Sequence, residues 1–188
     1  MNRFATFKLA PVALLAAAAW APQTHAATQT VELNALNASV TLATPFNNND
    51  SLVLDTLVAT PGALNQTINF SLASSVSGLL GQAVWEIGTA TGTGPRLIGV
   101  NIDIFNNTTN ALVVSDSFQG TLGGFAISTF LNTPIGPGTY RLVATGTGVR
   151  ESSLNVTVSF VPEPGTYLLM LAGLAGVGFV ARRRRSPH

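Results

Sequence analysis

Leu154-Asn155-Val156-Thr157-Val158-Ser159-Phe160 alternates apolar and polar residues over its whole length. A period of two places one set of side chains against a core and the other set in water, which is the pattern of a half-buried β-strand. Thr67-Ile68-Asn69-Phe70-Ser71-Leu72 and Val100-Asn101-Ile102-Asp103-Ile104 repeat the pattern. Further candidate strands are Val31–Leu36, Val40–Ala43, Ser51–Ala59, Ala83–Gly88, Leu112–Phe118, Phe125–Leu131 and Thr139–Thr145. Turn clusters separate them: Asn47-Asn48-Asn49-Asp50, Pro61-Gly62, Gly92-Thr93-Gly94-Pro95, Asn106-Asn107, Gly123-Gly124, Gly136-Pro137-Gly138 and Gly146-Thr147-Gly148. Nine or ten short strands at this spacing predict an all-β domain, an antiparallel β-sandwich that is jelly-roll-like or immunoglobulin-like. Ser75–Gly81 is the one place left for a helix, and a short one.

Outward from Phe160 the composition changes abruptly. Val161-Pro162-Glu163-Pro164-Gly165-Thr166 leads into an apolar run from Tyr167 to Ala181, and Arg182-Arg183-Arg184-Arg185 follows. Proline cannot donate to a sheet ladder, so Pro162 and Pro164 predict an extended, accessible hinge. The fifteen apolar residues would reach about 22 Å as a helix, against a hydrocarbon core of about 30 Å. Borrowing Gly165 and Thr166 and thinning the bilayer lets such a C-terminal transmembrane helix span. Gly173, Gly176 and Gly178 weaken it and admit close approach by another helix. The arginine cluster resists translocation and stays cytoplasmic, which puts everything before Val161 outside.

The N-terminus fits export. Arg3 and Lys8 precede an alanine-rich apolar stretch from Leu9 to Trp20, and Thr24-His25-Ala26 ends on a small residue before Ala27. That is the pattern of a secretory signal helix, residues 1–26, cleaved between Ala26 and Ala27 by signal peptidase after passage through the secretion translocon. Twelve apolar residues are too few for an uncleaved anchor. The organisation expected is therefore a signal peptide over 1–26, an exported β-sandwich over 27–160 and a membrane-addressing tail over 161–188.

Between Ala27 and Val161 the charges are Arg96, Arg141 and Arg150 against Glu32, Asp50, Asp55, Glu86, Asp103, Asp116 and Glu151, a net −4. The nominal pI above 8 belongs to the two tails. An acidic domain offers no electrostatic case for nucleic acid. Cysteine is absent, and His25, His188 and Lys8 all lie in the tails. The domain thus lacks the residues for Ser-His-Asp or Cys-His catalysis, Schiff-base chemistry, or a His- or Cys-ligated metal. Carboxylate chemistry survives, with Asp55, Glu86, Asp103, Asp116 and Glu151 as candidates for a glycosidase pair. Trp85 and Tyr140 are the domain's amphipathic rings, and Trp85 reads as core because its strand is apolar. Asn47–Asp50 offers oxygens suited to calcium, but also reads as an Asx-rich turn. Asn37, Asn49, Asn65, Asn69, Asn106, Asn107 and Asn155 each open an Asn-x-Ser/Thr sequon. The expectation is a domain without enzymatic activity, cofactor or metal.

Pro162-Glu163-Pro164, the apolar segment and Arg182 to Arg185, in that order at the C-terminal end, resemble the PEP-CTERM sorting signal of Gram-negative bacteria. The resemblance covers Val161 to Arg185. It implies processing at or beside Pro162-Glu163-Pro164 by exosortase, an integral-membrane enzyme resembling a cysteine transpeptidase. It also implies transient anchoring in the inner membrane, then a place at the cell surface or in an extracellular matrix, with exopolysaccharide and biofilm as the family's setting. Gly138–Gly146 and Leu154–Phe160 resemble the last two strands of passenger domains that carry this signal. Leu54-Asp55-Thr56-Leu57, with Phe70 downstream, resembles the FxDxF subgroup, although Leu54 and Leu57 stand where phenylalanines are expected. The alternatives are a secreted carbohydrate-binding module and a membrane-anchored surface domain that is never processed.

Overall fold

The computed structural model describes residues 26–73, 76, 78–88, 96–131, 135–161, 173, 174 and 177. Eleven strands run through the described residues: β1 (Thr28–Leu33), β2 (Asn37–Thr41), β3 (Ser51–Val58), β4 (Gly62–Leu72), β5 (Gly78–Glu86), β6 (Leu97–Asn106), β7 (Leu112–Ser115), β8 (Ser117–Leu122), β9 (Phe125–Leu131), β10 (Gly138–Gly148) and β11 (Ser152–Val161). They form a six-stranded sheet in the order β1-β3-β11-β5-β9-β8 and a five-stranded sheet in the order β2-β4-β10-β6-β7. The expected signal helix and transmembrane helix lie outside the described residues. Gly173, Leu174 and Val177 are the described part of the tail and are helical. Among the described residues no helix is long and apolar enough to cross a membrane.

Alternation along β11 explains why it sits at the centre of its sheet. Leu154, Val156, Val158 and Phe160 are fully buried, while Asn155, Thr157 and Ser159 lie on the outer face. β3 flanks β11 on one side and β5 on the other, both antiparallel. In the second sheet β4 buries Leu64, Ile68, Phe70 and Leu72 against this face. Phe70 reaches across to Phe160, with ring centroids 5.8 Å apart. The two sheets thus share one core and form a sandwich.

Three expectations are corrected. The sheets are mixed, not purely antiparallel: β1 runs parallel to β3, and β2 parallel to β4. The chain alternates between sheets through its first four strands, so each of these neighbours is reached by a crossover through the opposite sheet. A tight hairpin cannot make such a parallel pair. The single strand expected over Leu112–Phe118 is two, broken at Asp116 where the chain passes from one sheet to the other. Asp116 makes that corner by accepting the Ile102 N–H at 2.8 Å and donating its own N–H to the Ile102 carbonyl at 2.9 Å. The short helix considered over Ser75–Gly81 is overturned where described, since Gly78 to Gly81 open β5 in register with Val161 to Val158.

Gly81 explains part of that register. It points inward, and a Cβ there would lie 1.8 Å from the Phe130 ring, so the missing side chain is the space that Phe130 fills from β9. A polar clamp also crosses the core. The Thr56 hydroxyl donates to Gln66 Oε1 at 2.6 Å, and Gln66 Nε2 donates to the carbonyls of Ala35 (2.7 Å) and Leu33 (3.3 Å). Gln66 is fully buried. Its amide satisfies backbone carbonyls at the β1–β2 crossover.

Candidate functional site

The residues expected to carry processing flank the described sandwich in sequence. Pro162, Glu163, Pro164 and the cluster Arg182, Arg183, Arg184 and Arg185 lie outside the described residues. Ala26 and Ala27 are described, and both are exposed just ahead of β1. The strand that leads to the sorting motif is fully placed. β11 continues to Val161, which pairs with Gly78 on β5.

The register brings entry and exit together. Thr28 pairs with Ser51, and Ser51 with Ser159, so the start of β1 and the end of β11 occupy one row across three strands. Two interstrand steps of about 4.8 Å put them about 10 Å apart. Both segments expected to be removed therefore leave from the same edge of the sandwich.

Asp50 ties this junction. It is 5% exposed, at the mouth of β3. Its Oδ1 accepts the backbone N–H of Ala27 at 2.7 Å, and its Oδ2 accepts that of Asn47, also at 2.7 Å. The Asp50 carbonyl accepts the Phe160 N–H at 3.0 Å, the Phe160 carbonyl accepts the Asn49 N–H at 2.8 Å, and the Ala27 carbonyl accepts the Ser51 N–H at 2.8 Å. Asn49 adopts a left-handed conformation, φ 72°, which an asparagine tolerates in a turn. The Asn47–Asp50 segment is thus an Asx-rich turn with its carboxylate spent on backbone N–H groups. Beneath it Phe160 packs on Phe46 at 4.8 Å and Phe70 at 5.8 Å, and Phe70 stacks on Tyr140 at 5.9 Å. Phe160, the last inward residue of the strand, is 1% exposed.

The candidate carboxylates are scattered. Asp55 faces out of the six-stranded sheet and is bonded by Asn155 Nδ2. It lies beside Glu32 in register, in a shallow groove of about 340 Å3 that Asn155 also lines. Asp103 faces out of the other sheet and accepts Asn101 Nδ2 at 2.7 Å. Glu86 pairs with Arg96 at 3.2 Å, and Arg96 also donates to the Glu151 carbonyl at 3.3 Å. Asp116 holds its corner. Asp55 and Asp103 project from opposite faces of the sandwich, which does not bring them across one cleft. Among the described residues no cluster of three or more His, Cys, Asp or Glu could hold a metal ion.

Trp85 and Tyr140 are both interior. Trp85 packs against Phe118 at 6.3 Å, and the Tyr140 hydroxyl donates to the Gly136 carbonyl at 2.8 Å. Burial pushes the Tyr140 phenol above its ordinary pKa, opposed in part by the Asn106 side chain. Several sequon asparagines are engaged in the structure. Asn106 Oδ1 caps the turn at Thr108 and Thr109, and Asn107 bridges Asn69, the Tyr140 carbonyl and Arg141.

Comparison with known proteins bears on the tail. No curated protein matches the chain. A solved structure similar to this chain is the pre-peptidase C-terminal domain of a collagenase from Bacillus anthracis. It is 13% identical with a TM-score of 0.34, covering 65% of this chain and 93% of that one, a likeness too distant to inform function. Residues 160–185 match the family model described as the PEP-CTERM protein-sorting motif, which implies export, exosortase processing and cell-surface sorting in a Gram-negative bacterium.

Proposed function

We propose that this chain is an exported cargo protein whose sandwich plays a structural or adhesive role, without catalysis, at the cell surface or in an exopolysaccharide matrix. The observation that carries the reading is the sorting motif, which begins at Phe160, the last buried residue of β11. Everything C-terminal to that residue can be cut away without removing a side chain from the described core. Exosortase is the processing partner, acting at or beside Pro162-Glu163-Pro164. The transmembrane segment and Arg182–Arg185 hold the precursor in the inner membrane until then. Membership of the FxDxF subgroup rests on Asp55-Thr56 and Phe70.

Support for a non-catalytic role comes from chemistry and placement together. The exported part lacks His, Cys and Lys, and Asp50, Asp55, Glu86, Asp103 and Asp116 are engaged in turns, corners and surface pairs. A carbohydrate-binding module would present aromatic platforms, whereas Trp85 and Tyr140 face inward. The experiment is fractionation of cells with and without their exosortase. The protein is expected in the medium or matrix of the first and the inner membrane of the second. Membrane retention in both would leave an ordinary anchored surface domain.

A further inference from the structure

We propose that leader removal after Ala26 turns the Ala27 nitrogen into an α-ammonium that ion-pairs with Asp50, fastening the start of β1 beside the point where the sorting segment leaves. The inference rests on the export reading above. In the cleavage, signal peptidase adds water across the Ala26–Ala27 peptide bond. The carbonyl carbon of Ala26 takes the hydroxyl and departs with the leader as a carboxylate. The nitrogen keeps its place on Ala27 and gains the protons that make it –NH3+.

The geometry is already set for the product. The Ala27 nitrogen stands 2.7 Å from Asp50 Oδ1, a distance suited to an N+–H···O− bond. Ala27 is held there independently, because its carbonyl accepts the Ser51 N–H at 2.8 Å. Residues 50 and 51 therefore grip residue 27 at both its nitrogen and its carbonyl. Asp50 is 5% exposed, and the partners of its two oxygens are neutral backbone N–H groups. A carboxylate so buried gains from a positive charge at hydrogen-bond distance. The same residue accepts the Phe160 N–H through its carbonyl at 3.0 Å. One turn thus receives the new N-terminus and holds the last core residue before Pro162-Glu163-Pro164.

The sequence supplies its own probe. Lys8 is the chain's lysine and leaves with the leader, so the α-amine of the mature protein is its single primary amine. The test takes the exported protein from cells, determines its first residue, and times its acetylation by a succinimidyl ester at neutral pH. An ion pair keeps an amine protonated and unreactive. The native amine is expected to react about tenfold more slowly than the amine of denatured protein, one pKa unit's worth. Asp50→Asn is expected to erase most of that difference. If the variant does not fold, the native-to-denatured ratio of the wild-type protein still decides. A chain beginning at Ala27 whose amine reacts equally fast in both states overturns the inference and leaves the export reading standing. A first residue other than Ala27 on a cleaved chain does the same, whereas an intact leader overturns both.

Discussion

At the β1–β3–β11 side of the six-stranded sheet, Phe160 is buried among aromatic rings, and a web of backbone bonds joins residues 27, 47, 49, 50, 51 and 160. At the β8 side, Phe118 is 61% exposed and Leu122 73%. There the ladder between β8 and β9 slips between Phe118 and Gly120. The two sides contain similar residue types but answer different demands. The first is where the chain enters and leaves, and where processing would cut. Its contacts join residues far apart in sequence, so that no cut at either end frees a core side chain. The second side is an edge strand, and its irregular pairing resembles the ways natural sheets discourage further strand addition.

Substitution of one aromatic from each side is the sharpest way to break this contrast. Phe160→Ala is expected to cost about 3–5 kcal/mol, because the cavity opens beside Phe46 and Phe70 in a packed region. Phe118→Ala is expected to cost about 1 kcal/mol or less, since over half of that ring is already in water. Urea unfolding of the exported protein measures both, and equal costs would erase the distinction. Next comes the polar clamp. Gln66→Ala strands the Thr56 hydroxyl and two crossover carbonyls, an expected loss of about 1–3 kcal/mol. A variant as stable as the parent would mean that water serves those groups equally well. Smallest of all, Leu122→Ser at the open edge should change the unfolding free energy by about 0.5 kcal/mol or less. A larger loss would show that this edge is covered in the folded protein.

The strands were legible wherever one face is buried and the other wet. Alternation in Leu154–Phe160, Thr67–Leu72 and Val100–Ile104 placed β11, β4 and β6, and Phe125–Leu131 is β9 to the residue. Alternation reports which face a side chain takes but not which strand lies alongside, so the parallel pairs β1–β3 and β2–β4 were hidden. Leu112–Phe118 carries no alternation that could report a break at Asp116, where the corner is made by one carboxylate reaching Ile102, 14 residues earlier. Gln66 escaped notice for a related reason. A glutamine reads as an outward residue, and its inward position depends on carbonyls of the β1–β2 crossover. At the candidate site, the order of hinge, apolar run and arginines is a compositional signal and needs no fold. Asp50, after three asparagines, reads as a turn residue. Its second bond, to a nitrogen 23 residues away, exists only once β1 lies beside β3.

The most direct test of the central claim is the intact mass of the protein recovered outside exosortase-bearing cells. The account predicts a chain that begins at Ala27 and ends at or beside Pro162-Glu163-Pro164, with Phe160 retained and the arginine cluster gone. A secreted chain that still carries Arg182 to Arg185, or one cut before Phe160, would contradict it.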